Sequence, residues 1–197
     1  MRQKIANESV MDAAIRAFAA YGYRKATLDD VAGELGILGS SMYAYCDSKR
    51  DLYEQAVRHV LLRWQNRVKQ AVTGQSAPKA QLLTLCETAL LYLAEDKQFC
   101  ALLKSDPSIF PMFPAVDPYE EINEESVAMI ERILLAGAET GDFRPVASRP
   151  TAELIFSLYK GFIIHAYVQG ETEYLDRYMD TAIDLITNGL FMQDSDT

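Results

Sequence analysis

The sequence predicts an all-α chain of about nine helices. Apolar residues recur at i, i+3, i+4 and i+7 through almost every segment, and no segment alternates convincingly with the period of two that a strand requires. The breaks between segments fall at glycines, prolines and residues suited to helix caps. A first helix is expected over about residues 3–21, where Ile5, Val10, Ala13, Ala14, Ala17 and Phe18 share one stripe and Gly22 follows as a C′ residue. Thr27 reads as the N-cap of a second helix, with Asp29 and Asp30 placed where carboxylates suit the positive helix end. That helix stops at Gly36, and a third short helix is expected over about residues 39–45. Ser48 with Asp51 resembles a capping box, with Asp in place of Glu, opening a long helix to about Val72.

After a break at residues 73–78, Pro78 suits the first turn of a helix running to about Glu95, and a shorter helix follows near residues 97–104. Residues 105–118 hold Pro107, Pro111, Pro114 and Pro118 and cannot form one continuous helix, yet the segment is unusually apolar for a solvated loop. Helix resumes at about residues 119–140 and ends at Gly141. Two last helices are expected over about residues 150–169 and 173–189, with a polar tail from Gln193.

Composition narrows the function classes. The chain has 197 residues, 49% of them apolar and 24% charged, enough for a real core and too apolar for a disordered chain. Its longest apolar stretch, residues 154–168, contains Lys160 and His165 and is shorter than the roughly 20 residues of a bilayer span. The polar start lacks the apolar run of an export signal, so no membrane association and a cytoplasmic location are expected. Cys46, Cys86 and Cys100 make neither a disulfide framework nor a zinc site, and His59 and His165 have no partner at metal-ligand spacing. No metal or cofactor is expected. The net charge of −9 is unevenly spread: residues 1–50 carry seven Lys/Arg against six Asp/Glu, and the acidity belongs to residues 51–197. The expected organisation is therefore a small domain over residues 1–50 and a larger one over 51–197, the first locally compatible with phosphate.

The chemistry-bearing stretch is residues 27–49, TLDDVAGELGILGSSMYAYCDSK. Two short helices joined at Gly36-Ile37-Leu38 fit a helix-turn-helix, whose second helix enters the major groove of DNA. Gly36 permits a left-handed turn, while Val31, Leu35, Ile37 and Met42 supply apolar contacts that fix the angle between the helices. Gly39, Ser40 and Ser41 are small enough for close approach to DNA. Thr27, Ser40, Ser41, Tyr43, Tyr45 and Lys49 offer donors to phosphates or base edges.

Here the chain resembles the tetracycline-repressor (TetR) family of bacterial transcription regulators. The resemblance is carried by Gly22-Tyr23, Thr27, Asp30-Val31-Ala32, Gly36-Ile37, the run Ser40-Ser41-Met42-Tyr43-Ala44-Tyr45, and Ser48-Lys49. It covers residues 5–55 in detail and continues more loosely at Gly141-Asp142-Phe143-Arg144, which looks like the family's turn before its two dimerising helices. The resemblance implies phosphate contacts at Thr27, Tyr43 and Lys49, and places Ser40, Ser41 and Tyr45 nearest the bases. Packing of Tyr43 within the small domain, and a merely solvated Lys49, remain the plainer alternatives. Leu38 departs from the Ser or Thr that usually caps the recognition helix, a loss of about 1 kcal/mol unless Gly39 or Ser40 caps instead and shifts the helix start by a residue. Cys46 replaces a usual Phe and leaves a smaller anchor behind that helix.

In the acidic part, Leu154, Ile155, Leu158, Tyr159, Phe162, Ile163, Ala166 and Tyr167 make one stripe, with Phe156, Ile164 and Val168 off it. A helix apolar on more than one face needs burial from two sides, so Phe156, Lys160 and Ile164, with Tyr178, Ala182 and Ile186 on the last helix, are candidates for a four-helix homodimer interface. The resemblance implies the same; a monomer burying both faces internally is the alternative. Candidate linings for an effector pocket are Trp64, Cys86, Leu90, Phe99 and Leu103, with Phe110 and Phe113 from the proline-rich segment and Tyr159, Ile163 and Tyr167 from the penultimate helix. Core packing is the plainer role for most of them taken individually. The sequence thus leads to a ligand-responsive, homodimeric regulator, a repressor released from a palindromic double-stranded DNA operator by a small apolar or amphipathic effector. A helical small-molecule-binding or interaction protein with a vestigial DNA motif is the rival. An enzyme is disfavoured, because no paired carboxylates, nucleophile–base set or phosphate-cradling glycine loop stands at a recognisable spacing.

Overall fold

The protein is described by a computed structural model covering residues 5–106, 117–165 and 175–190, with the side chains of 93, 94 and 175–179 left aside. Among the described residues there are eight α-helices and one 3-10 helix, and no strand. In chain order they are α1 (Asn7–Lys25), α2 (Leu28–Glu34), the 3-10 helix (Gly39–Ala44), α3 (Lys49–Thr73), α4 (Pro78–Glu95), α5 (Lys97–Ser105), α6 (Glu120–Thr140), α7 (Ser148–Ile163) and α8 (Leu175–Leu190). Gly22 breaks the regular path of α1 with φ +74°, but a last helical turn continues beyond it to Lys25. Gly141 ends α6 in the left-handed conformation, φ +80°. No described helix is long and apolar enough to cross a membrane.

Packing divides the chain into two units. The first comprises residues 5–63 and 93–106, the second residues 64–92, 117–165 and 175–190. Both α3 and α4 contribute residues to each. In the first unit α1 packs on α5, burying Val10, Ala14, Ile15 and Phe18 with Phe99, Leu102 and Leu103. The start of α3 adds Leu52, Tyr53, Ala56, Val57 and Val60 to this core. Tyr53 stands edge-on to Phe18, ring centroids 5.0 Å apart, and donates its hydroxyl to Asp106 Oδ2 at 2.5 Å. Arg63 bridges Asp12 of α1 (3.2 Å) and Asp96 (2.7 Å), and Asp96 in turn caps α5 by accepting from the Phe99 N–H. These ties explain why α5, far along the chain, belongs with the N-terminal helices.

In the second unit α6 packs on α7, burying Ile122, Ile130, Ile133 and Leu134 with Ala152, Ile155 and Ile163. Arg149 holds the pair from outside, reaching Glu124 (2.6 Å), Glu131 (3.6 Å) and Glu153 (2.8 Å). The Arg144 N–H donates to Leu190 O at 2.9 Å, and its guanidinium reaches Gly189 O, pinning the turn after Gly141 to the end of α8. The buried face of α7 runs through Ala152, Ile155, Lys160 and Ile163, whereas Leu154 and Leu158, placed in the core stripe by the sequence pattern, are exposed. On a helix with apolar residues around most of its circumference, periodicity does not fix which side turns inward.

The Phe143 ring closes against the backbone of Gly137, so that a Cβ at 137 would overlap the ring. Gly137→Ala should destabilise by about 2 kcal/mol and lower the melting temperature by roughly 4–8 °C. An unchanged melting temperature in calorimetry would show that Phe143 has room to withdraw.

Candidate nucleic-acid interface

The DNA-facing candidate is built from two short elements held by local hydrogen bonds. Thr27 caps α2 reciprocally: its hydroxyl oxygen accepts from the Asp30 N–H at 3.2 Å, and Asp30 Oδ2 accepts from the Thr27 N–H and hydroxyl at 2.8 and 2.6 Å. The side-chain hydrogen bond from Thr27, then the backbone one, holds the Asp30 carboxyl below its ordinary value. At the other end of α2, the Ile37 N–H turns back to Ala32 O (3.0 Å) around Gly36, whose φ is +65°.

The 3-10 helix begins at Gly39 with Leu38 as its N-cap, and Leu38 has no side chain able to cap. The start is therefore not displaced by a Gly39 or Ser40 cap. Instead the Ser41 N–H bonds the Leu38 carbonyl at 2.8 Å, the i→i+3 pattern that winds the segment more tightly than the α-helix expected from the sequence. Met42 is fully buried, and the 3-10 helix packs on α2, where Val31 and Ala32 are buried. Cys46 lies buried behind it and donates its thiol to Met42 O at 3.5 Å. Burial pushes the Cys46 thiol up, the carboxylates of Asp51 and Asp47 adding to the effect, and Cys86 and Cys100 are each pushed up to about 11. None of the three carries the lowered pKa of a reactive thiol.

With Met42 inward, its neighbours face out. Leu38 is 62% exposed and Tyr43 65% exposed, Thr27 and Ser40 are exposed, and Gly39 and Ser41 are half-buried. The Tyr43 side chain is thus not packed in the small core. Gly39 sits against Asp29 of α2, and a Cβ there would meet the Asp29 carboxyl carbon at 2.8 Å. Tyr45 and Lys49 have structural partners. The Tyr45 hydroxyl accepts from the Ile5 N–H at 3.1 Å. The Lys49 ammonium donates to the carbonyls of Arg24 (3.2 Å) and Ala26 (3.1 Å), above the Tyr23 ring, and so ties the start of α3 to the end of α1. The second tie needs a carbonyl-rich helix end 23 residues upstream, which no local pattern reveals.

Residues 10–56 match the sequence signature of the bacterial regulatory proteins of the tetR family. The HTH-type transcriptional repressor KstR2 of Mycolicibacterium smegmatis is 25% identical over 138 residues, 70% of this chain and 67% of that one. IcaR of Staphylococcus aureus, negative regulator of the biofilm operon icaADBC, is 41% identical over 51 residues, which span only 26% of this chain and 27% of IcaR. The sequence likenesses are thus to tetR-family regulatory proteins and HTH-type transcriptional regulators. The solved structure of a TetR regulator from Haloarcula marismortui shares the fold over 94% of this chain and 98% of that one, with TM-score 0.82 and 22% identity. FadR from Bacillus subtilis, solved in complex with stearoyl-CoA, does so over 93% and 99%, with TM-score 0.76 and 17% identity. The matched signature and both relatives are described as transcriptional regulators.

The other candidate residues fall into separate groups. Phe99 and Leu103 lie in the core of the first unit, whereas Trp64, Cys86, Leu90, Tyr159 and Ile163 belong to the second. There Trp64 Nε1 (3.1 Å) and the Tyr159 hydroxyl (2.9 Å) both donate to Ala89 O, with their rings 5.1 Å apart. Phe110, Phe113, Tyr167 and the side chain of Tyr178 lie outside the described residues. Of the dimer candidates, Phe156, Ile164, Ala182 and Ile186 are half-buried, and Lys160 is buried within its own unit.

Thr27→Ala should cost about 1 kcal/mol of stability at neutral pH. Because the folded pKa of Asp30 is depressed, its share of the cap is full above the ordinary value near 3.8 and is lost as pH falls through the folded value. The stability difference between wild type and Thr27→Ala should therefore shrink below about pH 4. Equal differences at pH 3 and pH 7 in denaturant titrations would remove Asp30 from the cap.

Proposed function

We propose that this regulator is a ligand-responsive repressor that binds a palindromic operator as a homodimer and releases it when a small apolar or amphipathic effector binds. The observation that carries the reading is the alternation at residues 38–43: Met42 fully buried, Leu38, Ser40 and Tyr43 turned outward. A short helix held by one inward side chain, with small and hydroxyl-bearing residues outside, suits entry into the major groove. Gly39, Ser40 and Ser41 would approach base edges, and Thr27 and Tyr43 the flanking phosphates. Tyr45 and Lys49, engaged as they are with Ile5, Arg24 and Ala26, would act by fixing the height of that helix, Lys49 keeping one donor for a phosphate. KstR2 and IcaR carry repressor names, which supports the sign of regulation. Residues 1–50 would supply the DNA-binding function.

Residues 51–197 would supply dimerisation and effector binding. Leu154 (61% exposed) and Leu158 on α7 and Leu185 (68% exposed) on α8 leave large apolar side chains open to water, as a two-fold helical interface requires. FadR holds stearoyl-CoA, an amphipathic ligand, in the same fold, which supports an effector of that character. Release is a population shift: the effector favours a conformation whose half-site spacing no longer fits, and operator must weaken effector binding by the same factor.

Fluorescence anisotropy with a duplex selected from random sequence tests the DNA reading. Ser40→Ala and Tyr43→Ala should each weaken binding about tenfold, within the range for a lost base or phosphate contact, and wild-type affinity should fall steeply with salt. Equal affinity for selected and random duplexes would favour the vestigial-motif reading. In sedimentation, Leu158→Glu should yield monomers and lose the operator; an unchanged mass would move the interface elsewhere.

A further inference from the structure

Lys160 is the one charged side chain buried among the described residues, 8% exposed, in the middle of α7. Among the described residues its ammonium makes no hydrogen bond and no ion pair, and it stands 5.3 Å from the centre of the Phe156 ring. The helix face it shares is otherwise apolar: Ala152, Ile155 and Ile163. The carboxylate whose field it feels, Asp117, is occupied elsewhere, Oδ1 accepting from the Tyr119 N–H at 2.8 Å and Oδ2 from Asn123 Nδ2 at 2.7 Å. Burial holds the Lys160 ammonium below the usual lysine range, and Asp117 offsets this only in part. Elsewhere on α6 and α7 the cations are matched: Arg132 pairs with Glu125, and Arg149 with three glutamates.

A cation withdrawn from water without a counter-ion is costly, and one aromatic face does not replace its hydration. A methionine would fill the same volume without that cost. A partner subunit is poorly placed to supply the anion, because Lys160 is covered by its own unit while Leu154 and Leu158 form the open side of α7. We propose that Lys160 anchors the acidic head, a carboxylate or a phosphate, of an amphipathic effector whose apolar part packs among the neighbouring core residues. This rests on the effector-binding reading above and adds the charge the effector must carry.

The test uses three probes with one tail, namely dodecanoate, dodecyl phosphate and the neutral dodecanol, with inorganic phosphate as the head alone. Binding to the full-length wild type, Lys160→Met and Lys160→Arg is followed by calorimetric titration and thermal shift. At least one acidic amphiphile should bind the wild type tenfold or more tightly than dodecanol and raise its melting temperature. Lys160→Met should bind the acidic probes no better than dodecanol, Lys160→Arg should keep the preference, and ligand-free Lys160→Met should melt at or above the wild type. The proposal is overturned if the acidic preference survives in Lys160→Met or is absent in the wild type, including the case where no probe binds. A ligand-free Lys160→Met melting well below the wild type also overturns it, since the ammonium would then already have its counter-ion. If dodecanol binds and releases operator with Lys160→Met unaltered, the effector reading stands and only the anchor falls.

Discussion

The burial of Met42 is the contact on which the outward face of residues 38–43, the edge proposed to meet DNA, depends. Six residues of 3-10 helix cannot hold a fixed orientation by their own hydrogen bonds, so the direction of their outer face is set by what they pack against. With Met42 completely enclosed and the helix seated on α2, rotating Tyr43 or Ser40 inward would pull Met42 into water. The surrounding hydrogen bonds serve this seat. The Thr27–Asp30 cap fixes the start of α2, the Gly36 turn fixes its exit, Lys49 fastens the following chain to the end of α1, and Tyr45 fastens it to Ile5 just before α1.

Much of this was legible in the sequence, because it is local. The cap at Thr27, the turn at Gly36 and the inward Met42 are each decided by residues within a few positions of one another. The 3-10 character of residues 39–44 also has a visible cause in Leu38, which stands at a cap position without an oxygen to offer. What escaped was non-local. Tyr45 and Lys49 look like DNA contacts by spacing, yet their polar atoms meet carbonyls and an amide of α1 and the chain before it. Phe99 and Leu103 resemble pocket residues but fill the core beneath α1. On α7, apolar residues surround so much of the helix that the inward side was undetermined, and the structure buries Lys160 while leaving Leu154 exposed.

The charge distribution accords with two roles on one chain. The first fifty residues are nearly neutral overall, and part of their charge is consumed in pairs such as Arg16 with Glu34. DNA affinity from such a surface depends on few, well-placed donors and on presenting two copies of them, more than on a general positive field. An acidic remainder disfavours approach to phosphate, which is consistent with the proposal that DNA meets the N-terminal edge. Within that remainder Lys160 is the one buried charged side chain among the described residues, and an anion from outside the chain is the simplest way to balance it.

The most direct test of the account is amide hydrogen exchange of the full chain with and without a selected operator duplex. New protection is expected to concentrate in residues 27–49, strongest across Gly39–Ala44, with α6 little changed on the same timescale. Saturating operator that leaves Gly39–Ala44 unprotected, or that protects α6 instead, would contradict the claim that the face opposite Met42 meets DNA.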